Sequence, residues 1–251
     1  MKPEHNAFEV AGVDGCKSGW FVVITRVMKH ADSNSSFELK SRFVAGNFRE
    51  VLSKTDNCDL ICVDIPIGLK DEGNGDRMCD KEARHHLGEP RRRSVFPPPV
   101  RPCLSAVDYT EANVVSQKHS GKKLTPPAFN IMDKIRQVDD LMTPELQKRV
   151  REIHPEVSFW ALNNQKPMQY KKTSLNGRKE RMKLLDSIFS GLERIVSETR
   201  IPRKVAPDDI LDALVAAWTA AQTVIGKATI LAEEPENDRK GLRMEILCPI
   251  R

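Results

Sequence analysis

Four carboxylates lie in segments whose other residues predict burial. Asp14 ends the apolar run FEVAGVD, Asp64 lies inside ICVDIPI, and Asp212 interrupts the apolar segment PDDILDALVAAWTAAQTV. Glu152 lies in the short β-rich segment RVREIHPE. A buried carboxylate is costly when it has no partner, and carboxylates held close together either share a proton or need a cation. These acids are therefore the first candidates for chemistry.

The spacing of the acids predicts a site for a hard divalent cation. If the strands that carry Asp14 and Asp64 are neighbours, their backbones lie about 4.8 Å apart and the two carboxyl groups meet. Asp209 and Asp212 are three residues apart, so they share one face of a helix. Oxygen ligands without Cys or His favour Mg²⁺ or Mn²⁺ over zinc. We expect Asp14, Asp64, Asp209 and Asp212 to be metal ligands and Glu152 to be a further catalytic acid.

Purely structural roles for some of these acids stay open. Asp14 precedes Gly15, and Asp-Gly is a common turn dipeptide. Asp208 and Asp209 suit the start of a helix as an N-cap and a first-turn acid. Asp64 and Asp212 have no comparable duty, because one lies within a strand-like run and the other one turn inside an apolar helix.

The elements that must position these acids indicate an α/β fold. Two β-rich runs from Phe8 to Val27, broken by a turn between Gly15 and Gly19, predict a hairpin. The alternating run FELKSRFV predicts a third antiparallel strand with one solvated face. The continuous apolar run DLICVDIPIGL suits a buried strand with a parallel neighbour, and RVREIHPE reads as another short strand. The segment that follows Pro207 predicts a buried helix.

Length and composition favour one domain over residues 1–251, with an insertion at about 70–148. The chain has 251 residues, of which 39% are hydrophobic, enough to bury a core. Half of its 16 prolines lie in the predicted insertion, together with short helices near Asp108–Ser116 and Ala128–Met142. Such elaborations of a rigid scaffold commonly hold residues that decide specificity.

The sequence also predicts a cytoplasmic location. Its first residues, MKPEHNAFEVAG, contain no apolar stretch of the kind that a secretory signal needs, and no run is long and apolar enough to span a membrane. The six cysteines are scattered without a C-x-x-C pair, which fits reduced intracellular thiols.

Three basic clusters, one of them beside the Pro-rich segment, offer the cations that phosphate binding near the acids would need. The chain has 40 Lys and Arg against 35 Asp and Glu, a net charge of +5, which gives only weak electrostatic steering. Within the clusters 91–93, 122–123 and 171–183, we expect phosphate contacts from Arg91, Arg92, Arg93, Lys122 and Lys172. An ordinary solvated surface is the alternative for each charge run.

The chain resembles a known family in the order and spacing of these strings: AGVDGCKSGW, ICVDIPIGL, CDKEAR with HHLG and RRRSVFPPP, EIHPEVSFW and DDILDAL. The family is an uncharacterised bacterial one whose members are predicted to be RNase H-like nucleases. The resemblance runs from about Val10 to Ala220. It implies an RNase H-like fold, in which a mixed five-stranded sheet has three antiparallel strands, then two parallel ones, with helices on both faces.

The same resemblance implies roles for individual residues. Metal ligands of the Holliday-junction resolvase branch of that superfamily fall at Asp14, Asp64, Asp209 and Asp212, and this branch favours a homodimer. Glu152, His154 and Glu156 belong to the narrower family's own motif. By alternation the three would share a strand face, unless Pro155, which favours extended geometry at His154, ends the strand there. We expect His154 and Glu156 to lie behind the metal ligands, where His154 either hydrogen-bonds to a ligand or simply packs.

Together these features predict a nuclease that hydrolyses phosphodiester bonds with two divalent cations roughly 3.5–4 Å apart, with Asp14 as their shared ligand. Two alternatives remain. One is an actin-like or sugar-kinase-like phosphotransferase or ATPase, in which the backbone from Asp14 to Gly19 cradles a phosphate, although no second phosphate loop follows Asp64. The other is a nucleic-acid-binding scaffold that has lost its chemistry.

Overall fold

The computed structural model describes residues 7–30, 35–73, 76–199, 204–232 and 234–250. Its strands are β1 (Ala7–Cys16), β2 (Gly19–Lys29), β3 (Ser35–Ala45), β4 (Leu60–Val63), β5 (Val150–Glu152), β6 (Ala228–Leu231) and β7 (Ile246–Pro249). Its α-helices are α1 (Phe48–Lys54), α2 (Met78–Arg91), α3 (Tyr109–Ser120), α4 (Pro126–Asn130), α5 (Met132–Asp139), α6 (Pro155–Leu162), α7 (Leu175–Asp186), α8 (Leu192–Thr199) and α9 (Pro207–Val224).

Strands β1 to β5 form one sheet in the order β3-β2-β1-β4-β5. β1 pairs antiparallel with β2, and β2 with β3. β4 pairs parallel with β1, and β5 parallel with β4. This is the predicted arrangement of three antiparallel strands followed by two parallel ones, so the prediction of an RNase H-like α/β fold is confirmed. β6 and β7 form a separate antiparallel pair.

The two faces of the sheet pack against different helices. On one face, Val10 and Cys62 pack with Ala216 of α9. On the other face, Val13 and Val63 belong to a core that includes residues of α1 and α5. Alternate residues of a strand point to opposite faces, so the even-numbered positions of β1 and β4 face α9.

Helix α9 and strand β1 make an unusually close approach at Gly12. A Cβ atom at Gly12 would lie 2.1 Å from both the Ala213 carbonyl oxygen and the Ala217 nitrogen. No side chain fits into that space, and the small Ala213 and Ala217 let the helix backbone come down onto the strand. The position of α9 relative to the end of β1 is therefore fixed by three small residues.

The chain between β4 and β5 carries helices α2 to α5. The predicted helix near Ala128–Met142 is divided into α4 and α5, because the helix breaks at Ile131. Residues Ile135 and Val138 of α5 reach the core beneath the sheet. The assignment of residues 70–148 as an insertion in a single domain stays a prediction.

The segment after β5 differs from the expected strand. β5 ends at Glu152, and α6 begins at Pro155. His154 is the N-cap of this helix, and proline at a first helical position is well tolerated because its missing N–H would be unpaired there anyway. Of the two alternatives, the strand therefore ends before Pro155, and residues 152, 154 and 156 do not share one strand face.

The helices and the cysteines of the described ranges can be compared with the predicted cytoplasmic location. None of the helices within the described ranges is long and apolar enough to cross a membrane. The six cysteines all lie within those ranges, and each is buried as a free thiol. The cytoplasmic location itself stays a prediction.

Candidate active site

Asp14 and Asp64 lie side by side at the carboxyl ends of two parallel strands. Val13 pairs with Val63 across the ladder, and the Asp64 N–H donates to the Val13 carbonyl oxygen at 3.0 Å. Val13 and Val63, which precede the two aspartates, face the core on the side away from α9. Because successive side chains of a strand alternate between faces, both carboxylates point to the α9 face. The adjacency expected from the sequence is thus present in the structure.

Helix α9 brings two further acids to this edge. Asp212 is 1% exposed and lies one turn beyond Asp209. The Ala206 N–H donates to Asp209 Oδ2 at 2.8 Å, so Asp209 also has the helix-start role that its position suggested. We call Asp14, Asp64, Asp209 and Asp212 the acidic cluster.

Members of the acidic cluster raise one another's pKa. Burial, and then the charges of Asp64 and Asp212, hold the pKa of Asp14 well above its ordinary value. Burial, reinforced by the charges of Asp212 and Glu156, raises the pKa of Asp64 to about 7. Burial raises the pKa of Asp209 to about 6, with help from the charges of Asp208 and Asp212. Each of these three acids therefore takes up a proton more readily than an exposed aspartate, and a nearby cation would oppose this.

Lys172 is such a cation. Its ammonium nitrogen donates to Asp212 Oδ2 at 2.6 Å. The negative charge of Asp212, followed by those of Asp14 and Asp64, raises the pKa of Lys172 against the opposing effect of burial. We predicted a phosphate contact for Lys172, and the structure instead directs its ammonium at the acids.

The acids present fit a hard cation in their chemistry. Asp212 Oδ1 is buried and has no hydrogen-bond partner among the described residues, and an oxygen-only donor set suits Mg²⁺ or Mn²⁺. As the side chains stand, no group of three or more His, Cys, Asp or Glu in the described part of the chain is arranged to hold a metal ion. Closing around a cation would therefore require the carboxylates, Asp212 with its lysine partner included, to move.

Glu152 does not join the acidic cluster. It pairs with Val63 in the parallel ladder, so its side chain emerges on the face opposite to that of Asp64. There the Arg77 guanidinium binds both carboxylate oxygens, at 2.6 and 2.7 Å, and the Ile67 N–H donates to Oε2 at 2.6 Å. Both of its oxygens are thus engaged by a buried arginine, while Glu152 also lines the cleft described below, and its catalytic role stays a prediction.

His154 and Glu156 lie at the start of α6. The Glu156 N–H donates to His154 Nδ1 at 3.2 Å, and His154 Nε2 is 3.4 Å from the Ser94 carbonyl oxygen. Burial lowers the pKa of His154, so the imidazole is neutral and caps the helix. Arg181 donates to Glu156 Oε1 at 2.5 Å, which leaves Glu156 Oε2 buried without a partner among the described residues.

The acidic cluster lines a cleft of about 900 Å³. Other lining residues include Arg93, Lys171, Phe96, Pro127, Ile131 and His154. Residues of the predicted insertion thus form part of the cleft wall, as expected for an elaboration that holds specificity residues.

The predicted phosphate-binding residues divide into three kinds. Arg93 lines the cleft, and its side chain is 84% exposed. Arg91 also lines the cleft, but it is buried and donates to the Tyr170 carbonyl oxygen at 3.4 Å. Arg92 and Lys122 are exposed and do not line the cleft, so their assignment to a common phosphate site is not supported.

The contacts of three cationic side chains at or near the cleft were not predicted from the sequence. Arg77 binds Glu152 and Asp80, and Arg181 binds Glu156. Lys134 donates to the Gly19 carbonyl oxygen at 2.5 Å. These partners are separated by up to 115 residues, and no local pattern announces such contacts.

The β1–β2 turn bears on the kinase-like alternative. Cys16 pairs directly with Gly19, so only Lys17 and Ser18 connect the two strands. The Gly15 N–H is already taken by Asp14 Oδ1, at 2.7 Å. A two-residue hairpin turn leaves no open loop to surround a phosphate, and the structure gives this alternative no support.

Comparison with known proteins gives three findings. A family model described as "Protein of unknown function (DUF429)" matches residues 12–237. No curated protein matches the chain. The Thermus thermophilus RuvC structure matches at 13% identity, covering 87% of this chain and 96% of that one, with a TM-score of 0.35. Because that similarity is low, the fold assignment rests on the strand order and register.

Proposed function

The chain belongs to the DUF429 family, and for this member we propose a divalent-metal-dependent nuclease that hydrolyses phosphodiester bonds of a nucleic acid. One observation carries the proposal. Four acids from β1, β4 and α9 line a single cleft, and one of them, Asp212, has a buried oxygen with no partner among the described residues. A buried carboxylate in that state is what a missing cation would complete.

Asp14, Asp64 and Asp212 would hold the cation, with Asp209 in support. When bound, Mg²⁺ or Mn²⁺ would polarise the scissile phosphate and make water a better nucleophile at neutral pH. The parallel register of β1 and β4 sets the distance between Asp14 and Asp64. Contact between α9 and Gly12 sets the approach of Asp212.

The basic side of the cleft would receive the phosphate backbone. Arg93 is exposed at the cleft, where a phosphate oxygen would replace its loose ion pair with Glu89 (Nε to Oε2, 3.9 Å). Buried Arg91 helps to fix the Tyr170 backbone beside it. Such contacts bind nucleic acid without reading its sequence. The choice between DNA and RNA, and the shape of the substrate, are therefore questions for the assay.

The test is hydrolysis of single-stranded, duplex and branched DNA and RNA in the presence of Mn²⁺. Asp14→Asn and Asp212→Asn should each lower the rate on the order of 100-fold or more, since cation catalysis contributes several kcal/mol. Asp208→Asn is the matched control on the same helix and should keep the wild-type rate. Glu152→Gln should lower stability while the remaining folded protein keeps its Mn²⁺ dependence.

Equal rates for the wild type and Asp14→Asn would contradict the proposal. If no substrate is cleaved and no Mn²⁺ binds, the chain is a scaffold that has kept the fold without the chemistry. Loss of turnover in a fully stable Glu152→Gln would return Glu152 to the catalytic residues.

A further inference from the structure

The backbone that presents Lys172 is held firmly before the lysine. The Tyr170 carbonyl oxygen accepts from Arg181 Nη1 at 3.2 Å. The Tyr170 N–H donates to Glu180 Oε2 at 3.1 Å. Both partners belong to α7, so this helix fixes the segment that leads into Lys172.

The backbone is held equally firmly next to and after Lys172. The Ser174 N–H and hydroxyl both donate to the Lys171 carbonyl oxygen, at 3.0 and 2.7 Å. This carbonyl lies so close to α7 that a Cβ atom at Gly177 would be 1.9 Å from its oxygen. Lys172 is therefore presented by a constrained turn, so little backbone freedom is lost when its side chain enters an ion pair.

The ammonium of Lys172 lies where a cation is needed. It is 2.6 Å from Asp212 Oδ2, and Asp212 is almost fully buried. Asp14 and Asp64 attract the same ammonium. A divalent cation bound through Asp212 Oδ2 would have to displace Lys172, whereas Asp212 Oδ1 remains open to a cation.

The charges at the site balance with a single divalent cation. A bound cation would keep all four acids ionised, so that Asp14, Asp64, Asp209 and Asp212 contribute four negative charges and Lys172 contributes one positive charge. Lys134, whose charge interacts with Asp14 and Asp209, contributes another. The remaining two negative charges equal the charge of one Mg²⁺ or Mn²⁺, and a second cation would leave an excess positive charge in a largely buried site before substrate binds.

We propose that Lys172 takes the place of the second cation, so that the metal-loaded site holds one divalent cation beside a permanent ammonium. This inference rests on the proposed function and revises the two-cation arrangement expected from the sequence. Lys172 then has two effects: it keeps Asp212 paired when no metal is bound, and it limits the number of cations that the acids accept.

Calorimetric titration with Mn²⁺ alone, in the absence of nucleic acid, tests the inference. The wild type and Lys172→Arg should bind one Mn²⁺ per chain, because both retain the positive charge. Lys172→Met should bind a second Mn²⁺. Lys171→Met is the matched control: its lysine is adjacent and lines the same cleft, and it should still bind one.

Thermal unfolding provides a second readout that needs no activity. Without metal, Lys172→Met should melt below the wild type, since Asp212 loses its partner, and Mn²⁺ should raise its melting temperature more than that of the wild type. In Lys172→Met combined with Asp212→Asn, this extra gain should disappear.

Each other outcome has a defined meaning. Two Mn²⁺ in the wild type, or one Mn²⁺ with unchanged affinity in Lys172→Met, overturns the role of Lys172 and leaves the proposed nuclease intact. If neither the wild type nor any variant binds Mn²⁺, the nuclease proposal and this inference both fail.

Discussion

Asp64 and Glu152 are both buried acids at the ends of neighbouring parallel strands, and they face opposite sides of the sheet. Glu152 is level with Val63, so Asp64 is one residue further along the ladder. An offset of one residue reverses the face in a strand. The sequence identified both residues as acids that need partners. It could not assign their faces, because β5 has only three residues and its register is set by long-range pairing.

Stability without metal should depend on pH through Asp64. Its pKa of about 7 in the folded chain exceeds the ordinary value of 3.8, so the folded state binds more protons than the unfolded state between these values. The free energy of unfolding should therefore fall as the pH rises from 4 to 7. We expect a loss of about 3 kcal/mol across this window.

Urea denaturation in EDTA at several pH values would measure this loss. Asp64→Asn should reduce the slope of the profile, because an amide does not titrate, while Asp14 and Asp209, whose pKa values are also raised, should keep part of it. Asp133→Asn removes a carboxylate that is 83% exposed and should leave the profile unchanged. A wild-type chain that becomes more stable from pH 4 to 7 would show that the acidic cluster is compensated in the folded state.

At the scale of elements, the site depends on how closely α9 lies against β1. Asp14 is on the strand and Asp209 and Asp212 are on the helix, so any increase in their separation moves the acids apart. Gly12 is the contact that permits the present spacing. The apolar pattern after Pro207 predicted α9 correctly, but nothing local to Gly12 indicates that it lies beneath a helix.

Gly12→Ala should weaken Mn²⁺ binding and lower stability together. The new methyl group would overlap the α9 backbone at 2.1 Å, and overpacking of this kind costs about 1–3 kcal/mol. Gly46→Ala is the control, because its Cβ would meet only Glu50 Oε2 at an ordinary 3.6 Å. Mn²⁺ titration and thermal unfolding of both variants check the prediction, and normal Mn²⁺ affinity in Gly12→Ala would contradict it.

The element that the sequence misassigned is the start of α6. The segment RVREIHPE has the composition of a strand, but only Val150–Glu152 form one. The helix begins where His154 caps it and Pro155 occupies its first turn. His is not among the most favoured N-cap residues, so a reading from local preferences extends the strand too far.

At the scale of the whole molecule, the order of strands could be predicted and the cross-connections could not. Alternation in FELKSRFV and the continuous apolar run around Asp64 are local signals for edge and central strands. The pairing of Arg77 with Glu152 spans 75 residues, and that of Lys134 with Gly19 spans 115. Such partners become neighbours only when the fold is complete.

The position of the basic residues predicts how nucleic-acid binding depends on salt. Arg93 is exposed at the cleft, so Arg93→Ala should weaken binding and reduce the salt slope by about 1. Lys122 lies outside the cleft, and Lys122→Ala should change neither quantity. Fluorescence anisotropy at several salt concentrations, in an Asp14→Asn background to prevent cleavage, measures both. Equal effects of the two substitutions would indicate a diffuse charged surface instead of a defined path.

The wall of the cleft has a consequence for how this family could diversify. Phe96, Pro127 and Ile131 come from the long connection between β4 and β5, whereas the acidic cluster comes from β1, from the residue after β4 and from α9. In the proposed nuclease, the residues that would contact the polymer therefore come largely from a different part of the chain than the acids that would cut it. Exchanging only Phe96, Pro127 and Ile131 for the residues of a relative would change the cleft wall while the acidic cluster, Lys134 and Arg77 stay in place.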